Sequence, residues 1–175
     1  MAAMAEAEAA VSEQAPPFEG FFDQHYERLL RVLYLATGDR HEAEDLAQDA
    51  FVRVYERWDK IAGLERPDGY LYRTALNLRR SRLRRLAVAT RKLLGGRQSE
   101  EVVDPASQSD ERDAIRRALA ALPAGQREAV VLVEWLGMTD AEASEVLGIS
   151  PVAVRVRISR ARPTLREHLR GESDE

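Results

Sequence analysis

Residues 139–162, TDAEASEVLGISPVAVRVRISRAR, constrain the fold of this chain more than any other stretch. Thr139 is a natural N-cap for a helix over DAEASEVL, and Gly148 is a natural left-handed stop for it. Ser150 can cap a second helix, with Pro151 at its first turn, where a missing N–H does no harm. Two helices joined by a tight glycine turn make the helix-turn-helix pattern. At about 100° per residue, Val154, Ile158, Ala161 and Leu165 share one side of the second helix and must pack against a bundle. Arg155, Arg162 and Arg166 fall on one flank, Arg157 and Arg160 on the other, and Val152, Val156 and Ser159 point away from the core. A proline inside a helix removes a hydrogen bond, so Pro163 predicts a kink or break near residues 160–162, with TLREHL a separate or bent turn.

The remaining periodicity is helical, with no strand alternation. FEGFFDQHYERLLRVLYLAT places Phe22, Tyr26, Leu29, Leu33 and Ala36 at helical spacing, and TGDR breaks the pattern. HEAEDLAQDAFVRVYERW restarts it, with Ala47, Ala50, Phe51, Val54, Tyr55 and Trp58 on an apolar face. DKIAGLERPDG reads as a loop, punctuated by Gly63, Pro67 and Gly69. A long helix follows from Tyr70, with an apolar stripe of Leu71, Ala75 and Leu78 flanked by Tyr72, Leu76 and Leu83. On it, Arg73, Asn77, Arg80 and Arg84 share one polar face. RDAIRRALAAL and GQREAVVLVEWLG predict two further helices before the pair at 139–162. The expected fold is all-α. A bundle at 18–94 and a helix-turn-helix bundle at 111–170 are joined by a flexible linker at 95–110, with a disordered tail at 1–17 and a short one at 171–175.

The formal net charge of -4 hides a segregation of sign. Asp68 is the sole acid between Arg66 and Arg97, and Glu167 the sole acid between Arg155 and Arg170. Acids crowd instead into HEAEDLAQDA and SEEVVDPASQSDERD. Two basic islands on separate helical units point to a polyanion, and nucleic acid is the commonest one. Other chemistries find little support. Without cysteine there are no disulfides or thiolate metal sites, and His25, His41 and His168 lie far apart, so no metal or cofactor is expected. A nucleic-acid enzyme would need clustered ligands, a glycine-rich phosphate loop or a nucleophile; the carboxylates of AEDLAQD read as helix-surface acids. The chain is therefore read as a non-enzyme with no catalytic residues. No apolar run approaches the ~20 residues of a membrane span. Glutamates occupy the N-terminus where a signal peptide would be basic and then apolar, so a cytoplasmic location is expected.

Three segments, in this order, resemble the extracytoplasmic-function, or group IV, sigma factors of bacterial RNA polymerase. AEDLAQDAFVRVYERW resembles their region 2.2, which binds the coiled coil of the β′ clamp. The resemblance implies core-polymerase contacts at Asp45, Gln48, Asp49, Val52, Arg53 and Glu56. RPDGYLYRTALNLRRSRLRR resembles regions 2.3 and 2.4, which open and read the −10 element, and residues 59–67 resemble the loop that captures a flipped base. Lys60, Arg66, Tyr70, Arg73, Asn77, Arg80 and Arg84 are then the −10 contacts. Tyr70 is open to base stacking or to packing, whereas Tyr72 reads as core. ALPAGQREAVVLVEWLGMTDAEASEVLGISPVAVRVRISRAR resembles region 4, which reads the −35 element; Ser150, Val152, Ala153, Arg155, Val156, Arg157, Ser159 and Arg160 are the implied contacts. Implied partners are the polymerase core, through the β′ clamp and β flap, promoter DNA, and an anti-sigma protein. Departures from the usual family residues occur at Tyr70, Ala143, Ser144, Ala153 and Pro163. A two-domain regulator that binds DNA without polymerase is the competing reading; the acidic face at 45–58 and the second basic helix are features it would not need.

Overall fold

The computed structural model describes residues 16–94 and 110–170. The tails and linker expected from the sequence lie outside these, apart from Pro16, Pro17 and Asp110. Every described element is helical: α1 (Phe18–Thr37), α2 (Arg40–Tyr55), α3 (Trp58–Ile61), α4 (Pro67–Leu94), α5 (Asp110–Ala120), α6 (Ala124–Val130), α7 (Asp140–Leu147) and α8 (Pro151–Arg170). Helix α6 runs on into a π turn over Val131–Trp135, in which the Leu136 N–H reaches the Val131 carbonyl at 3.0 Å.

Local chemistry sets the boundaries. Asp39 caps α2 by accepting from the Glu42 N–H at 2.8 Å. Thr139 and Glu142 form a reciprocal capping box on α7. Gly148 closes α7 at φ 68°, a conformation in which a Cβ would be strained, and the Ser150 hydroxyl accepts from the Ala153 N–H at 3.2 Å to start α8.

Four sequence expectations change. First, α2 ends at Tyr55, not Trp58, because Arg57 leaves the helical region at φ -128° and ψ 16°. Second, Tyr55 is not on the buried face: it is 63% exposed, though its ring still meets Phe18 at 5.0 Å. Third, the segment read as a loop contains α3, and α4 begins at Pro67 instead of Tyr70. Proline loses nothing at a helix start, and Asp68 in the first turn suits the positive end of the dipole. Trp58 meanwhile stays in the core, its indole N–H donating to the Pro16 carbonyl at 2.6 Å. Fourth, α8 passes through Pro163 without a break. Its inner residues Val154, Ile158 and Ala161 are buried against α5, α6 and α7, while Pro163 and Ser159 are exposed. Packing along the inner face outweighs one lost hydrogen bond on the wet side.

The two halves share one core. Helices α1, α2 and α4 bury Leu29, Leu33, Leu46, Val54 and Leu71; α6, its π turn and α8 bury Val131, Leu132 and Val154 in the same continuous cluster. Helix α4 packs on α7, and α1 on α5, α6 and the π turn. Polar groups stitch this seam. Arg127 donates to the Ala36 carbonyl at the end of α1 (2.9 Å), and Arg28 to the Leu136 carbonyl (3.0 Å). Arg66 pairs with both Asp68 (3.1 Å) and Glu142.

His25 sits near this seam, its ring 4.5 Å from that of Phe21 and its buried Nδ1 without a hydrogen-bond partner among the described residues. Burial pulls its pKa below the usual value; Asp68 raises it and Arg28 lowers it to a lesser degree. A histidine with a depressed folded pKa stabilises the fold fully above its unfolded pKa of about 6.5, and that contribution is lost as pH falls through the folded value. The melting temperature is thus expected to drop below pH ~6.5, with a shallower slope in His25→Gln. An unchanged slope in that variant would remove His25 as the cause.

Candidate nucleic-acid interface

Helix α8 leaves at the surface most of the face that the sequence reading assigns to recognition. Val152 and Val156 are 58% and 40% exposed, and Arg155, Ser159 and Arg160 are also at the surface. Two apolar side chains are thus left in water on a well-packed helix, with arginines on either flank. The guanidinium of Arg155 pairs with Asp140 (3.2 Å), and that of Arg162 with Glu134 (3.6 Å). Arg157 lies across the first turn of α6, donating to the Gly125 carbonyl at 3.4 Å. The approach is close: a Cβ on Gly125 would stand 3.1 Å from the Arg157 guanidinium, which would have to shift slightly to admit it. Ser150 and Ala153 sit at the helix start, Ser150 exposed and Ala153 half-buried.

Helix α4 carries the second face. Arg73, Asn77 and Arg84 are exposed along it, and Lys60 is exposed before it. Tyr72 is buried as expected; its hydroxyl lacks a hydrogen-bond partner among the described residues, and burial pushes its pKa up to about 12. Tyr70 is half-buried, with its hydroxyl 3.4 Å from Arg57. Two members of the predicted set are not free. Arg66 is engaged by Asp68 and Glu142, and Arg80 by Glu128 at 2.7 Å and the Leu147 carbonyl at 3.1 Å.

On α2, Asp45, Gln48, Asp49, Val52 and Arg53 are all exposed and form one helical face, which the exposed C-cap residue Glu56 extends. Of these, Asp45 pairs with Arg82 at 3.3 Å. The face is acid-rich, and Val52 gives it an apolar centre.

Sequence reasoning missed Arg79 and Glu128. Their side chains are 1% and 2% exposed and meet at 3.2 Å across the seam. A signal existed. Arg79 follows Ala75 and Tyr72 at helical spacing on a buried stripe, and Glu128 stands one turn before Leu132 on another. A charge on each of two apolar stripes is what a buried pair requires.

Comparison with known proteins places the chain in a family. Residues 21–88 match the description "Sigma-70 region 2", and residues 112–165 match "Sigma-70, region 4". The RNA polymerase sigma-E factor of Streptomyces avermitilis is 36% identical over 155 residues, covering 87% of this chain and 84% of that one. The chain belongs to the extracytoplasmic-function sigma factors. Its role is that of an RNA polymerase sigma factor in promoter-specific transcription initiation. The sigma factor SigW of Bacillus subtilis is 28% identical over 87% of this chain and 89% of its own length. Among solved structures, CnrH in complex with the cytosolic domain of CnrY is 28% identical, with a TM-score of 0.62 and 88% of each chain covered. The sigma factor RpoE of Bartonella quintana, in complex with the anti-sigma factor NepR, matches in fold at a TM-score of 0.76, 24% identity and coverage of 87% and 96%. In this sigma factor, no helix among the described residues is long and apolar enough to cross a membrane, and no described group of histidines and acids is suited to hold a metal ion.

Proposed function

We propose that this sigma factor binds core RNA polymerase through α2, reads the −35 element with α8, and opens and holds the −10 element with α4 and the segment before it. The bundle of α1–α4 acts as region 2, and that of α5–α8 as region 4. The observation that carries this reading is the presence, on one chain, of three exposed faces of different chemistry: acid-rich on α2, arginine with asparagine on α4, and arginine with valine on α8.

Asp45, Gln48, Asp49, Val52, Arg53 and Glu56 dock on the β′ clamp. In α8, Arg155, Arg157 and Arg160 contact phosphates or guanine edges, Val152, Ala153 and Val156 meet thymine methyls, and Ser150 and Ser159 hydrogen-bond at the groove. In α4, Arg73, Arg80 and Arg84 neutralise the separated strand, while Asn77 reads a base edge. Lys60, Arg66 and Tyr70 flank the loop that takes a flipped base. Flipping costs a few kcal/mol in lost stacking, which phosphate contacts on α4 offset. Strand opening is thus driven by binding, and bond formation belongs to the polymerase. An anti-sigma protein is a further partner; the pairing of the 28% identical CnrH with CnrY supports this.

Run-off transcription with purified core polymerase on genomic fragments from the source organism, with the RNA 5′ ends sequenced, tests the reading. Discrete start sites dependent on the added chain are expected, and random initiation would refute it. Charge reversal at Asp49 and Glu56 is expected to abolish retention of core polymerase in a pull-down. Undiminished retention would remove α2 as the docking face.

A further inference from the structure

We propose that the outer face of α4 beyond Ser81 is a second reading site, in which Val88, flanked by Arg84 and Arg85, takes a thymine methyl in the duplex just upstream of the −10 element. The proposal rests on the reading of Asn77 as a base contact and extends it along the same helix.

Helix α4 outruns its bundle. Arg79 is its last buried residue, and every residue from Arg84 to Ala89 is exposed. Two large apolar side chains stand on this projecting part, Leu86 at 55% and Val88 at 57% exposure. Leu86 follows Ala75 and Arg79 on the inner stripe, so its exposure reflects only where the bundle stops. Val88 has no such origin. It stands eleven residues after Asn77, three turns on and about 20° round, on the outer polar face. Its exposure equals that of Val152 on α8, at 58%, and its surroundings are the same: a valine among arginines and a serine. Ser81, Arg84, Arg85, Val88 and Ala89 line one shallow groove. Arg84 donates to the Ser81 hydroxyl at 3.1 Å, and Arg85 Nε to the Ser81 carbonyl at 3.4 Å, so both guanidinium groups lie along its rim.

The groove fits duplex DNA in charge and in place. Arginines at a rim meet phosphates, and a central methyl-bearing side chain meets a thymine methyl in the major groove. The loop that takes a flipped base precedes α4, so the open strand lies at its N-terminal end. The chain leaves its C-terminal end for region 4, which reads the upstream element. The Val88 end of α4 therefore faces paired DNA upstream of the base that Asn77 reads. The two residues are about 16 Å apart along the helix, which is about five base pairs at 3.4 Å each.

The test uses holoenzyme assembled from the full chain and core polymerase, on a promoter found by run-off transcription. The spacer next to its −10 element is randomised, and bound duplexes are selected and sequenced. A preference for thymine at one position is expected, and no preference at any position overturns the site. Replacing that thymine with deoxyuridine deletes only the methyl group. Binding is expected to weaken about fourfold, the effect of uncovering one methyl group, and equal affinity overturns the contact. In Val88→Ala the two duplexes are expected to bind alike. Discrimination that survives in this variant assigns the position to another residue, and the proposal falls. Val88 is exposed, so its truncation disturbs no packing. If Val88→Ala instead lowers retention of core polymerase and leaves the spacer preference intact, the groove docks protein and the proposal falls as well. Asn77→Ala separates the two layers. A −10 preference lost in that variant, with no discrimination against deoxyuridine in the wild type, sinks the Val88 site alone. A −10 preference unchanged in Asn77→Ala removes Asn77 as a base contact, and the Val88 site with it.

Discussion

The substitution Leu132→Ala is expected to lower the stability of the whole chain by about 2–5 kcal/mol. Leu132 is fully buried in the π turn, and its carbonyl accepts from the Met138 N–H at 3.0 Å. That bond anchors the chain as it turns from α6 toward α7. Removing the side chain leaves a cavity that the wide backbone turn, fixed at both ends, fills poorly. For a chain of this length the melting temperature falls roughly 2–4 °C per kcal/mol, hence by about 4–20 °C. Because Leu132 shares one continuous cluster with Leu29, Leu33 and Leu71 of the first bundle, a single transition should shift as a unit in a circular-dichroism melt. Two transitions, only one of which moves, would mean that the halves fold independently and that the shared core contributes little.

Arg160→Ala is expected to weaken −35 recognition by about 1–3 kcal/mol if the side chain contacts a base, which is about 5- to 150-fold in affinity. Arg160 is exposed on the α8 face, so its loss disturbs no packing. Arg157→Ala is expected to weaken binding as well, but it also removes the guanidinium that rests on Gly125. Footprinting of the holoenzyme on a −35 duplex across a salt series distinguishes the possible roles. A base contact predicts relaxed specificity at one position and an unchanged salt dependence. A phosphate contact predicts uniform weakening and a slope of log K on log salt reduced by about 0.9. An intact −35 footprint in both variants would refute the assignment of α8 as the reading helix.

Much of the fold was readable because the information is local. Gly38 with Asp39, Thr139 with Glu142, and Gly148 with Ser150 and Pro151 carry their helix ends in their own side chains and backbone freedom. The buried side of α8 followed from spacing alone, and Val154, Ile158 and Ala161 lie where the periodicity puts them. The misreadings arose where a distant contact overrules the local rule. Pro163 breaks an isolated helix, yet α8 continues because its inner face is already held by three neighbours. Tyr55 has the spacing of a core residue, but α2 ends at it and the chain turns at Arg57.

The candidate site divides the same way. The sequence by itself determined an all-helical chain, two basic helices, an acid-rich helix, and the faces on which their charges stand, since these depend only on residue type and a period of 3.6. Only the tertiary structure decided which of those charges are available. Arg80 and Arg73 belong to one helical stripe and are indistinguishable by pattern, yet Arg80 is bound to Glu128, 48 residues away, while Arg73 faces water. Coulomb attraction depends on distance in space, and helical periodicity carries no information about which two helices will meet.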